Sequence, residues 1–340
     1  MGAIRSIGWL FAWYNSKTKV MIVVINGLKL SEWADRYRKL SPESSGETGQ
    51  WRTDRVPYQR EILDAITDQS VESVVVMSSA MMGMTEMLLN AIGYYIDYDP
   101  APIMVVQPTL EMARAFSENR LAPILRDTQV LSDKMDDKGI RNTVLHKTFH
   151  GGHITITGAN SASSLASRPI RILLADEIDR YPILAEGDPL CMAEKRTTTF
   201  RDRKKVFVST PTARSTSRIE RAYENSTKEQ WCLPCPDCDE HQPLEWGRIH
   251  VEDATMACKY CGSQFDESTW KTRQGEGKWM AQSVTLKVRG FHLNELASPW
   301  KRWTTIIEEF HKAKEQAEVG NMEPLKWWVN ASLGEAWSDQ

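Results

Sequence analysis

The chain has 340 residues, with 45 acidic against 42 basic side chains and a formal charge of −3. That balance excludes a surface that is basic throughout, so any nucleic-acid track has to be concentrated on one face. With 41% hydrophobic residues, the length suits a core of about two hundred residues plus appendages.

The N-terminus carries two apolar stretches, residues 7–14 and 20–25, split by Asn15-Ser16-Lys17-Thr18-Lys19. Neither approaches the roughly twenty residues of a membrane span, and no small-residue cleavage site follows the first. Residues 1–50 read as an extension and connector, with a Ser-, Glu- and Gly-rich exposed stretch from Pro42 to Gln50. Tyr58-Gln59 comes just ahead of the first core helix, where a ring can stack on adenine and an amide can read its edge.

Val74-Val75-Val76-Met77 reads as a strand, and Glu86 to Tyr95 has the period of an amphipathic helix. Between them lies Ser78-Ser79-Ala80-Met81-Met82-Gly83-Met84-Thr85. A strand, a small-residue turn and a helix aim backbone N–H groups at phosphates. Gly83 and Thr85 fit the G-x-x-x-x-G-K-[ST] pattern; Ser78 replaces its first glycine and Met84 its lysine. On this reading residues 78–86 hold a nucleotide.

Residues 103–107 form a second apolar strand ending at Pro108-Thr109, and His153 to Asn160 alternates like a strand before the small-residue run 161–169. The apolar stretch 170–175 then ends abruptly in Asp176 and Glu177. Strands buried on both faces read this way, and their C-terminal ends carry ligands in open α/β sheets. There Asp176 would hold Mg²⁺ together with Thr85, and Glu177 would orient an attacking water. A solvated acidic turn gives the same fragment. Val206-Phe207-Val208 is another buried strand and ends in Ser209 and Thr210, hydroxyls able to sense a γ-phosphate. Arg168 is a candidate arginine finger, in its own or a neighbouring site, or else a surface guanidinium. Basic residues cluster at 195–205 and at Arg214, Arg218 and Arg221, as a solvated face or a phosphate track.

Five of six cysteines fall between Cys232 and Cys261. Cys235-x-x-Cys238 and Cys258-x-x-Cys261 have the spacing of a Cys₄ zinc ribbon with two tight turns. Cys232-x-x-Cys235 also fits a knuckle. Beyond the ribbon, seven of the thirteen tryptophans punctuate the chain around a helix expected from Ile306 to Gln316. At this density they pack or dock a small subdomain rather than form a nucleic-acid platform.

In this order, the motifs at residues 31–35, 57–60, 107–109, 164–169, 175–181, 193–197 and 209–212 resemble the large terminase subunit of tailed phages, lambda-type branch. The resemblance implies an α/β fold: an additional-strand, RecA-like P-loop ATPase core (51–230) with a mostly parallel sheet, a zinc ribbon (231–265) and a Trp-rich linker subdomain (266–340). It also implies ATP, Mg²⁺ and Zn²⁺, and work in the host cytoplasm, away from membranes. The expected function is ATP-driven translocation of double-stranded DNA by a homo-oligomeric ring on the portal protein of the procapsid, with the small terminase subunit as partner. The zinc ligands implied are Cys235, Cys238, Cys258 and Cys261. Members of this branch carry a lysine at the start of the phosphate loop or just before its threonine, and here neither is present. Slow or absent hydrolysis is therefore expected unless Lys147, Arg168, Lys195 or a neighbouring subunit restores the charge. The nuclease domain is expected to be absent, with no DNA cleavage. The alternatives are an inactive ATPase-like scaffold for DNA or a partner, and a helicase-like translocase, which needs a second RecA-like core.

Overall fold

The computed structural model describes residues 27–43, 46–135 and 142–338. The apolar N-terminal stretches lie outside them. Among the described residues, no helix is long and apolar enough to cross a membrane.

The apolar runs become the strands of one ten-stranded sheet. In chain order these are β1 (Ser73–Ser78), β2 (Ile103–Gln107), β3 (His146–Phe149), β4 (Gly152–Gly158), β5 (Ile172–Asp176), β6 (Lys204–Ser209), β7 (Glu229–Pro234), β8 (His241–Pro243), β9 (Lys278–Met280) and β10 (Val288–Leu293). The spatial order is β8-β7-β10-β1-β6-β5-β2-β4-β3, with β9 also on β7. The seven strands from β7 to β4 run parallel. Antiparallel pairs appear only toward the ends, at β3, β8 and β9. Every residue of β1, β2 and β5 is buried, as strands covered on both faces require.

Helices α1 (Leu30–Tyr37), α2 (Gln59–Thr67) and α3 (Met84–Asp97) cover one face. After β2, α4 (Leu110–Phe116), a π-helical turn (Ser117–Leu121) and α5 (Ala122–Asp127) continue one another.

The linker expected over 266–340 does not stand apart from the core. Its β10 inserts between β7 and β1, the strand that feeds the small-residue loop, with Leu293 level with Ser78. The reason sequence reading missed it is that Val288-Arg289-Gly290-Phe291-His292-Leu293 is interrupted by Arg, Gly and His. α6 (Trp303–Glu318) and α7 (Glu323–Trp328) follow. Trp246, Phe310 and Trp328 form an aromatic triad with centroids 4.7–4.9 Å apart. Two buried indoles also find acceptors: Trp279 donates to the Tyr58 carbonyl (2.8 Å) and Trp303 to that of Leu296 (2.9 Å). That is how large amphipathic rings are buried without an orphaned N–H. Between β8 and β9 a small three-stranded antiparallel sheet spans 249–266. No second parallel core is present among the described residues.

Candidate active site

The chain must turn sharply from β1 into α3. Met81 and Gly83 both take left-handed conformations there, at φ 61° and 80°. Glycine tolerates this freely, and a Cβ on Gly83 would lie 2.7 Å from Gln59 Nε2. The loop is braced from three directions. Ser79 N–H donates to the Leu293 carbonyl (2.9 Å), Ala80 N–H to that of Ala331 (2.8 Å), and Gln59 Nε2 to that of Met82 (3.1 Å). The first N–H groups of α3 have no partner within the helix and carry its positive dipole end.

Asp176 ends β5 and is level with Val208 of β6, which is level with Val76 of β1. Two strand spacings, about 10 Å, therefore separate it from the loop along the same carboxyl edge. Asp176 is 7% exposed and accepts from Gln107 Nε2 at 3.1 Å. Burial, with Glu177 adding repulsion, pushes its pKa up to about 6. Glu177 is itself in a left-handed conformation, φ 51°. Burial raises its pKa too, against the pull of Arg180, whose Nε lies 3.1 Å away. Non-glycine residues held there signal an over-determined, functional position. Ser209 Oγ accepts from the Asp179 N–H (3.2 Å) and donates to the Thr210 carbonyl (2.9 Å). Asp179 also receives the N–H groups of Thr212 and Ile219, both at 2.8 Å, which fixes the end of β6.

One cavity of about 1040 Å³ joins these parts: Gln59, residues 78–86, Asp176, Glu177, Ser209 and Thr210 all line it. Two expected members are elsewhere. Tyr58 is fully buried, edge-on to Trp231 with its hydroxyl on the Met82 carbonyl, so it offers no face to a base. Gln59 braces the loop instead of reading an edge, although its Oε1 has no partner. Arg168 is exposed and off the cavity; its charge acts on His146 and His153, near the β3 edge of the sheet. Lys147 and Lys195 are also off the cavity. The arginines that line it are Arg52, Arg55, Arg120 and Arg180, none of which the sequence reading gave a role. Arg120 carries no motif; Arg180 was legible as part of the 175–181 run.

Glu86, just after Thr85, pairs with Arg38 (2.8 Å) and Arg120 (3.2 Å). Burial pulls Arg38 down to about 10, which leaves it charged at neutral pH.

A second cluster lies at the small sheet. The Sγ atoms of Cys235, Cys238, Cys258 and Cys261 lie within 4.8 Å of one another. Cys235–Cys261 is 3.7 Å and Cys238–Cys258 3.8 Å. A tetrahedral ion with Zn–S of about 2.3 Å separates its sulfurs by about 3.8 Å, so the set fits zinc. Cys232 is outside the cluster, buried with its thiol on the Gln230 carbonyl.

The family model "Phage terminase large subunit gpA, ATPase domain" matches residues 45–279. The chain belongs to this terminase family. A second model, the terminase large subunit gpA endonuclease domain, matches residues 288–340. The expected absence of the nuclease part is therefore corrected: this terminase chain carries part of that model, beginning with β10. It is 24% identical to the terminase large subunit of Enterobacteria phage P21 over 91% of this chain and 52% of the relative. Against that of Escherichia phage lambda the values are 27%, 90% and 52%. The chain thus spans about half the length of the curated relatives it matches. The HK97 bacteriophage large terminase shares the fold, with a TM-score of 0.56 at 10% identity, covering 92% of this chain and 55% of that one.

Proposed function

We propose that this chain is the ATPase motor of a phage terminase large subunit and that the cavity binds ATP with Mg²⁺. The observation that carries the reading is the meeting of loop 78–86 and the Asp176–Glu177 pair on one cavity, inside the stretch that matches the ATPase family. Residues 78–86 are the P-loop, with backbone N–H groups on the phosphates. Thr85 and Asp176 would hold the magnesium, which would supply charge neutralisation to the phosphates. Glu177 accepts the proton of the attacking water, which its raised pKa suits. Ser209 and Thr210 lie where loss of the γ-phosphate is felt, and Asp179 passes that displacement to the segment after β6. Arg168, exposed and off its own cavity, serves as a finger only toward a neighbouring subunit. Zinc held by Cys235, Cys238, Cys258 and Cys261 staples the small sheet.

The motor moves double-stranded DNA into the procapsid as a ring on the portal, recruited by the small terminase subunit, in the host cytoplasm. The domain scheme is an N-terminal extension (1–50), an ATPase core from 51 that borrows β10, a ribbon (231–265) and an aromatic C-terminal region.

One observation favours a second reading, an inactive ATPase-like scaffold. The lysine position is Met84, 7% exposed and packed in the core. Steady-state ATP hydrolysis with and without duplex DNA separates the two. The motor predicts slow turnover that duplex DNA stimulates and Glu177→Ala abolishes; no turnover under either condition favours the scaffold.

A further inference from the structure

The burial of Tyr58 leaves the base of a bound nucleotide without the ring expected to stack on it. The cavity nevertheless extends past loop 78–86 to Glu47, Arg55 and two indoles, Trp300 and Trp327. Among the described residues these are the only exposed tryptophans, at 52% and 64%, and both line this cavity. A large apolar ring left in water on a cleft wall is a surface that a ligand covers with gain. Trp300 is the one built into the nucleotide end. A Cβ on Gly83, the residue before α3, would lie 3.9 Å from Trp300 Cη2 and 2.7 Å from Gln59 Nε2, so the ring meets the loop where the helix starts. The turn that carries it is pinned twice. Its backbone N–H donates to Ser298 Oγ (3.2 Å), and its indole N–H donates to Glu47 (3.4 Å), whose carboxylate also pairs with Arg55. No other ring of the described residues stacks on it, whereas Trp231, Trp246 and Trp328 are engaged by neighbouring rings. Trp327, on α7, also borders the groove between α6 and α7.

We propose that Trp300 is the base-stacking residue of this cavity: the aromatic base of a nucleoside triphosphate lies against its indole while the phosphates lie on loop 78–86. The inference rests on the reading of the cavity as a Mg–ATP site and adds the wall that holds the nucleoside. Every base has a π face, so an indole contributes affinity for the nucleoside and leaves the choice among bases to other groups. Trp300 lies between β10 and α6, inside the endonuclease match, so the C-terminal region completes a site that the ATPase match begins.

The test is calorimetric titration of the full chain with Mg–ATP and with magnesium tripolyphosphate, which keeps the phosphates and lacks the nucleoside. Wild type should bind ATP more tightly than tripolyphosphate. Trp300→Ala is expected to weaken ATP binding roughly fivefold to hundredfold, the range of one lost base stack, and to leave tripolyphosphate within a few-fold. Trp300→Phe should recover most of that loss, and Trp327→Ala should stay within a few-fold of wild type for both ligands. Wild-type ATP affinity in Trp300→Ala, or a base-dependent loss in Trp327→Ala in its place, overturns the inference alone. Equal loss of both ligands in Trp300→Ala assigns the indole a structural role and overturns it too. A wild-type chain that binds neither ligand overturns the cavity reading and the inference with it.

Discussion

Asp176 is a carboxylate placed where charge is costly: it is 7% exposed, accepts from Gln107, and faces Glu177. Its folded pKa of about 6 exceeds the usual carboxylate value, so the folded state binds this proton more tightly than the unfolded chain. The nucleotide-free protein therefore gains stability from this group as pH falls through about 6 and bears the full cost above it. Asp176→Asn should stabilise the nucleotide-free chain by about 1–3 kcal/mol near pH 8, with the gap narrowing toward about pH 5. The same change should abolish Mg²⁺-dependent nucleotide binding. Denaturant titrations at the two pH values check the first statement, and a less stable variant near pH 8 contradicts it. Glu177→Gln should lower hydrolysis about a hundredfold or more while leaving nucleotide affinity within a few-fold. The place of these two acids at the end of a buried strand was legible because the apolar run 170–175 stops abruptly at them. Tyr58 was misread because its burial is set by Trp231 and Trp279, residues remote in sequence.

The loop depends on an element that no phosphate-loop pattern contains. Ala331 accepts from Ala80, and Gly334, at φ 64°, packs so closely that a Cβ would lie 2.6 Å from Ser79 N. Gly334→Val should destabilise the chain by about 1–3 kcal/mol and weaken nucleotide binding, although Gly334 lies outside the ATPase match. Gly320→Ala is the control: it too replaces a positive-φ glycine (92°), but nothing lies within 4 Å of its Cβ, so affinity should hold. Titration of nucleotide against both variants decides, and equal affinities for Gly334→Val and wild type contradict the brace. At the ribbon, metal analysis should find about one zinc per chain, lost in Cys258→Ser, with the 249–266 sheet losing its order. A metal-free chain with that sheet intact removes zinc from the account. The four-cysteine cluster was legible because its spacing is local, whereas the Ala331 and Leu293 carbonyls are backbone groups without a side-chain signature.

The ten-stranded sheet is assembled from both family matches, because β10 belongs to the endonuclease match yet lies between β7 and β1. Ending the chain before Val288 should expose two interior strand edges and abolish cooperative unfolding in circular dichroism; a folded truncated core contradicts this integration. The alternation of strands and helices was legible from apolar runs, and so was the parallel sheet. The place of β10 was not, since strand order depends on long-range pairing that periodicity does not encode. The account rests on loop 78–86 and the Asp176–Glu177 pair sharing one ligand. A crystal structure with Mg²⁺ and a non-hydrolysable ATP analogue tests this most directly. The account predicts the triphosphate on the N–H groups of residues 81–85, with magnesium between Thr85 and Asp176. A nucleotide bound elsewhere, with this cavity empty, would contradict it.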